Sequence, residues 1–180
     1  MALEDSLKKT LDHKHVLLDT CFIVKAHQYA ETEFFDGLFS LLRDNNCVPV
    51  INEFIRFEFL RGCKTKDQIK TKTDFLNALS GGVVMPIDKE VLEGAIDISN
   101  IYSNKNVDSK QISRVDCYLS SYLNKYSKHL VMVTLNHPDF PLLIHDRFHV
   151  HVVDTKKEVL AIGFYGFDSK RFKNLLEDIK

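Results

Sequence analysis

Val16-Leu17-Leu18-Asp19-Thr20-Cys21-Phe22 is an apolar run that ends in one carboxylate, followed by a small hydroxyl residue. A short run that is apolar on both faces reads as a strand buried inside a parallel sheet. Such a strand delivers Asp19 to the rim of the sheet, and in open α/β sheets the working site lies outside the carboxyl ends of the strands. Three later segments return acidic groups to that rim.

The chain on either side reads as alternating strands and helices. His15 to Leu18 is the first strand, and Cys21 to Ala26 starts a helix with Asp19 or Thr20 at its N-terminus. Glu31 to Arg43 carries Phe34, Leu38, Leu41 and Leu42 at helical spacing. Val48 to Ile51 is the second strand, and Asn52 caps a helix that runs through Phe57 to Arg61 and ends at Gly62. Thr65-Lys66-Asp67-Gln68 fits a capping box for a helix to about Leu79. Val83 to Met85 is a third strand, and Pro86-Ile87-Asp88 opens a helix through Ile98. A polar loop over Ser103 to Gln111 precedes a helix from Ser113 to Tyr126. Leu130 to Val133 is a fourth strand, Asn136 to Phe140 a turn, Phe148 to Val153 a fifth strand, Val159 to Tyr165 an added edge strand, and Ser169 to Ile179 a terminal helix. The order β-α-β-α-β-α-β-α-β calls for a three-layer α/β fold, a mostly parallel sheet flanked by helices on both faces. No internal repeat or domain boundary interrupts residues 1–180, so one domain is expected.

Composition narrows the function classes. With 44% hydrophobic residues the chain is not a disordered one. Its 24 basic and 25 acidic residues exclude nucleic-acid binding by bulk positive charge, though not by a local patch. Cys21, Cys47, Cys63 and Cys117 form no Cys-x-x-Cys pair, so neither a zinc site nor a disulfide framework is signalled. Reduced thiols, a start without a signal-peptide core and no apolar run of about 20 residues together lead us to expect a soluble cytoplasmic protein with no membrane association.

Carboxylates stand next to the ends of these elements in four places. Asp19 follows strand one; Glu53 and Glu58 lie on the helix after strand two; Asp116 is in the first turn of the helix before strand four; Asn136 and Asp139 follow strand four. Each has a structural explanation taken singly. Asp19 can cap a helix, Glu53 favours a helix start, and Glu58 can pair with Arg56 or Arg61. Ser113 to Asp116 resembles a capping box, and Asp139 sits in a turn beside Pro138. Jointly they converge on one rim if strands one and four are neighbours. Carboxylates sharing a pocket repel one another and call for a cation, and hard oxygen ligands select Mg²⁺ or Mn²⁺ over zinc. That chemistry points to phosphodiester hydrolysis.

The ordered set resembles the PIN-domain ribonucleases, most closely their VapC-like toxin branch. The resemblance is carried by Leu17-Leu18-Asp19-Thr20-Cys21, by Glu58-Phe59-Leu60-Arg61-Gly62, by Asp116-Cys117-Tyr118-Leu119, and by Leu130-Val131-Met132-Val133-Thr134-Leu135-Asn136 with Asp139-Phe140. It covers about Val16 to Val153 and leaves 154–180 as a C-terminal extension. It implies a metal-dependent endoribonuclease, often a homodimer, held inactive in the toxin branch by a protein antitoxin. Asp19, Glu58 and Asp116 would bind one or two metal ions, with Asn136 or Asp139 completing the site and Asp139 counted with the catalytic acids. Thr20 or Thr134 would orient a carboxylate or a water. Asn136 stands where many relatives carry an acid. That keeps open a non-catalytic RNA-binding or scaffold module.

Arg56, Arg61, Lys64, Lys66, Lys70 and Lys72 form a basic run beside the Glu58 helix, either an RNA-phosphate grip or a solvated face. Glu53 is the weakest acidic candidate, because five helical residues turn it about 140° from Glu58. His13 with His15, and His149 with His151, share strand faces without the Cys or acidic partners of a zinc site. Phe34, Phe35, Phe39, Phe57 and Phe59 read as core; Phe164, Tyr165 and Phe167 read as a sheet-edge cover or a dimer contact. A phosphoacceptor Asp also suits a strand end, but it needs an acidic pair after the first strand, which Leu18-Asp19 does not supply.

Overall fold

The computed structural model describes residues 2–29, 34–105, 113–155 and 157–179, the side chains of 2–6 and 34–36 aside. The helix start read at Glu31, the loop over residues 106–111 and the side chains of Phe34 and Phe35 lie outside the described residues.

Strand β1 (His15–Leu18) lies between β2 (Val48–Asn52) and β4 (Leu130–Thr134) and is parallel to both. His15 stands opposite Val48 on one side and Leu130 on the other. The two-residue β3 (Val84–Met85) extends the sheet beyond β2. On the far side β6 (Val159–Phe167) runs antiparallel to β4, and β5 (His145–Asp154) antiparallel to β6, giving the order β3-β2-β1-β4-β6-β5. Only β6 runs against the other five. The expected mostly parallel sheet flanked by helices is therefore present, with one rearrangement. The strand read as an added edge is internal, and β5 is the edge. The sequence of β6, Val-Leu-Ala-Ile-Gly-Phe-Tyr-Gly-Phe, explains this. Leu160, Ile162 and Phe164 are buried on one face and Tyr165 and Phe167 on the other, as a strand covered on both sides requires. The residues beyond Asp154 thus belong to the core, and Phe172 of α8 (Ser169–Glu177) joins them.

Helices α2 (Thr20–Gln28), α4 (Glu53–Leu60) and α5 (Lys66–Ser80) pack together, and α6 (Lys89–Asn104) packs on α7 (Arg114–Lys125) and α8. The chain steps from β1 to β2 to β3 in one direction and returns to β4 in the other. Right-handed crossovers place the helices of those two moves on opposite faces. Two elements depart from the reading of the sequence. Helix α1 (Ala2–Leu11) was masked by its alternating charges, yet Leu7 and Leu11, one turn apart, are buried. Between β4 and β5 the alternating order calls for a helix, but among the described residues the connection is the turn read over Asn136 to Phe140, a 3₁₀ turn at His137–Asp139 with Pro138 inside it. Helix α3 (Phe34–Asp44) buries Leu38 and Leu42, and α6 runs on through Ser103.

Helix boundaries follow their caps. Asn52 accepts a bond from the Ile55 amide at 2.9 Å, Thr65 from Gln68 at 3.2 Å, Asp88 from Val91 at 3.0 Å and Ser113 from Asp116 at 3.3 Å. Gly81 ends α5 at φ 59°, a left-handed conformation that suits glycine. Asn52 is fully buried and among the described residues its Nδ2 has no partner, so only its Oδ1 contributes. Asn52→Ala is expected to cost about 1 kcal/mol in urea unfolding, a cap lost without a donor stranded. Among the described residues no helix is long and apolar enough to cross a membrane.

The aromatic readings divide. Phe59 is buried, edge-on to His27 and beneath the Lys72 ammonium at 4.6 Å. Phe57 is 66% exposed, since one helical step turns it to the solvent face of α4. Phe164, Tyr165 and Phe167 are interior.

Candidate functional site

Parallel pairing of β1 with β4 sets Leu18 opposite Val133 and carries the Asp19 amide to the Val133 carbonyl at 3.0 Å. Both chains leave the sheet at this rim, one into Asp19-Thr20 and the other into Thr134-Leu135-Asn136. Asp19 occupies the N-cap position of α2, yet its side chain makes no capping bond to that helix. Its Oδ2 instead accepts the Thr134 hydroxyl at 2.6 Å and the Cys21 thiol at 2.9 Å. Thr134 Oγ1 is itself held by the Asn136 amide at 2.9 Å, and Cys21 Sγ by the Leu135 amide at 3.3 Å. Asp19 is only 5% exposed, and burial foremost pushes its carboxyl above the usual range, with Glu58 adding to the effect.

Glu58 comes from α4, where the cap at Asn52 fixes the helix start. The Thr20 hydroxyl donates to Glu58 Oε2 at 2.7 Å and ties the helix after β2 to the one after β1. Asp116 sits in the first turn of α7, 7% exposed. Its carboxyl rises to about 7: burial acts most, the Ser113 hydroxyl opposes it, and the charges of Asp139 and Asp19 add to the rise. Asp139 neighbours Asp116, whose carboxyl it helps to raise, and accepts a bond from the Asn136 side-chain amide. The chain of neighbours therefore runs Glu58, Asp19, Asp116, Asp139, Asn136, with the hydroxyls of Thr20 and Thr134 supporting its first two members.

Among the described residues no Lys, Arg or His forms an ion pair with Asp19, Glu58, Asp116 or Asp139. Nor does any group of three His, Cys, Asp or Glu side chains stand at a spacing that would hold a metal ion as it is. Glu53 is apart from the cluster, exposed and paired with Arg56 at 3.9 Å. That ion pair occupies one of the candidate RNA contacts. Arg61, Lys64 and Lys66 are exposed about the end of α4 and the start of α5, while Lys72 donates to the Phe59 carbonyl at 2.8 Å. His149 and His151 share a face with ring centroids 6.4 Å apart.

Cys21 was not singled out from the sequence, which reads it as one of four plain thiols. Burial pushes the thiol up to about 12, so it stays protonated and donates to Asp19. Its position two residues after the strand-end Asp, in the first turn of α2, was the available signal.

A scan of family models found no match to the chain, and neither did searches of curated proteins and of solved structures.

Proposed function

We propose that the protein is a PIN-like, metal-dependent ribonuclease that hydrolyses RNA phosphodiester bonds. One observation carries the reading: four carboxylates from four separate segments are neighbours at the sheet rim, two of them buried, and among the described residues no basic side chain is paired with them. A buried carboxylate cluster without a counter-charge is costly unless it is protonated or binds a cation. The donors are all hard oxygens, which fits Mg²⁺ or Mn²⁺. Asp19, Glu58 and Asp116 would hold the ion, with Asp139 beside them. Such an ion, when bound, neutralises phosphoryl oxygens and acidifies water.

The remaining roles belong to the chain itself. Thr134 and Cys21 fix one oxygen of Asp19, and Thr20 fixes Glu58, so two carboxylates keep their orientation. Asp116, titrating near neutrality, is able to take up a proton at working pH. Asn136 gives its amide hydrogen to Asp139 and acts here by orienting that acid. RNA as the polymer rests on the ordered motifs that resemble PIN ribonucleases, as does an antitoxin partner, for which a small gene adjacent to this one is the cheapest support.

Calorimetric titration with Mn²⁺ tests the reading. Wild type is expected to bind saturably and to cleave a labelled single-stranded RNA until EDTA is added; the Asp19→Asn, Asp116→Asn double variant is expected to do neither while keeping its circular dichroism. A wild type that takes up no Mn²⁺, even with RNA present, overturns the reading. RNA binding under those conditions would support the non-catalytic module.

A further inference from the structure

Asn136 and Asp139 stand on a turn, and β6 is the surface that turn rests on. Thr134, the last residue of β4, lies opposite Gly163 of β6. Three residues later His137 settles on the same glycine. A β-carbon placed at Gly163 would stand 2.6 Å from His137 Cε1, 2.9 Å from its Nδ1 and 2.6 Å from Tyr165 Cε2. No real β-carbon packs that closely, so glycine is what lets the imidazole lie against the strand.

Both ring nitrogens of His137 are used. Nε2 lies 2.9 Å from the Ala161 carbonyl, which only accepts, so Nε2 carries the hydrogen. Nδ1 then accepts the Tyr165 hydroxyl at 2.7 Å. Ala161, Gly163 and Tyr165 are alternate residues of β6 and share one face. Tyr165 is 1% exposed, and the rings of Phe140 and His145 pack on it at centroid distances of 5.9 and 6.5 Å. Its hydroxyl is therefore a fixed point for the imidazole. Within the turn, His137 follows Asn136 directly and precedes Asp139 by two residues. The strand that grips it belongs to residues 154–180, the part of the chain that the PIN resemblance leaves out.

We propose that His137, Gly163 and Tyr165 are positioning residues, a clamp by which β6 holds the turn after β4 and so sets Asn136 and Asp139 beside Asp116. What the clamp serves rests on the metal-site reading. Groups that orient metal ligands in this indirect way matter nearly as much as the ligands themselves.

Mn²⁺ calorimetry and amide hydrogen exchange in EDTA, both on the full chain, test it together. Tyr165→Phe removes one hydroxyl and keeps the ring; Gly163→Ala forces both rings off the strand. Each is expected to weaken Mn²⁺ binding roughly 10-fold. Each should also speed exchange of the Asn136 amide, which Thr134 Oγ1 holds at 2.9 Å, while the amides of β1 exchange as in wild type. Asp168→Ala strips the α8 cap further along the same segment, and should lower urea stability without moving either readout. If Gly163→Ala does not fold, Tyr165→Phe decides. Where wild type binds Mn²⁺, wild-type affinity or wild-type exchange in Tyr165→Phe overturns the clamp and leaves the metal site standing. An equal loss in Asp168→Ala reduces the effect to stability and overturns the clamp as well. A wild type that takes up no Mn²⁺ overturns the metal reading, and exchange alone then decides. A faster Asn136 amide in Tyr165→Phe upholds the clamp, and an unchanged one overturns it.

Discussion

In chelator at pH 8, Asp116→Asn is expected to unfold at a higher urea concentration than wild type, although it should cleave RNA at least ~100-fold more slowly, the range found when one acid–base group is removed. The carboxyl titrates near 3.8 when unfolded and near 7 in the fold, chiefly because it is buried. The native state thus holds a proton that the unfolded chain releases, and wild type loses stability as pH rises from about 4 to 7, then levels off. Asparagine keeps the shape and removes the charge. Its advantage should be absent near pH 3.5 and grow to the order of 1–3 kcal/mol at pH 8, a discount on one unit per 1.36 kcal/mol because Asp139 shares the effect. Saturating Mn²⁺ should reverse the ranking, since only wild type gains binding energy. An Asp116→Asn variant that is less stable at every pH would instead mark Asp116 as a partner of the Ser113 cap alone.

His145→Leu is expected to lose about 2–4 kcal/mol at pH 7, the cost of leaving a buried hydroxyl and a part-buried carbonyl without their partner. His145 is fully buried beside Phe140, Tyr165 and Phe167. Its Nδ1 lies 3.0 Å from the Pro141 carbonyl, which only accepts, so Nδ1 carries the hydrogen. Nε2 then accepts the buried Ser120 hydroxyl at 3.0 Å. Burial holds the imidazole down to about 4, against the opposing pull of the Pro141 carbonyl. Its contribution is therefore complete above about 6.5 and is lost as pH falls towards 4. Urea melts at pH 7 and pH 4.5 should show the penalty of His145→Leu shrinking in acid. A penalty of equal size at both values would mean that the imidazole titrates alike in the folded and unfolded chain. His145 and Asp116 act in opposite directions over nearly the same interval, so the wild-type profile alone would hide both.

Much of the site was legible because its residues follow strand ends, and strand ends are announced by short apolar runs. Leu17-Leu18-Asp19 and Met132-Val133-Thr134 each name both the strand and the rim residue. That Asp19 serves the cluster and not a helix cap was not legible. The two uses place the same residue at the same position, and only the bond from Thr134, 115 positions away, separates them. The place of β6 was hidden for a related reason. An apolar strand after a short turn suits either an edge or an interior slot, and the choice lies with β4, whose free side must be covered. Phe57 shows the limit of composition: an aromatic beside Phe59 on the same helix, one residue off the buried face, is solvent-exposed.

The insertion of β6 between β4 and β5 has a consequence for how the molecule is made. Every strand but β6 leaves the ribosome before the sheet has its full complement of neighbours, and β4, apolar throughout, waits beside β1 with one side open. The nascent chain thus carries the edge of its own middle strand uncovered until β6 emerges. Chaperone capture or stalled synthesis in that interval would act on β4 and on β5, which pairs only with β6, and a chain cut after Asp154 should aggregate instead of yielding a smaller folded domain.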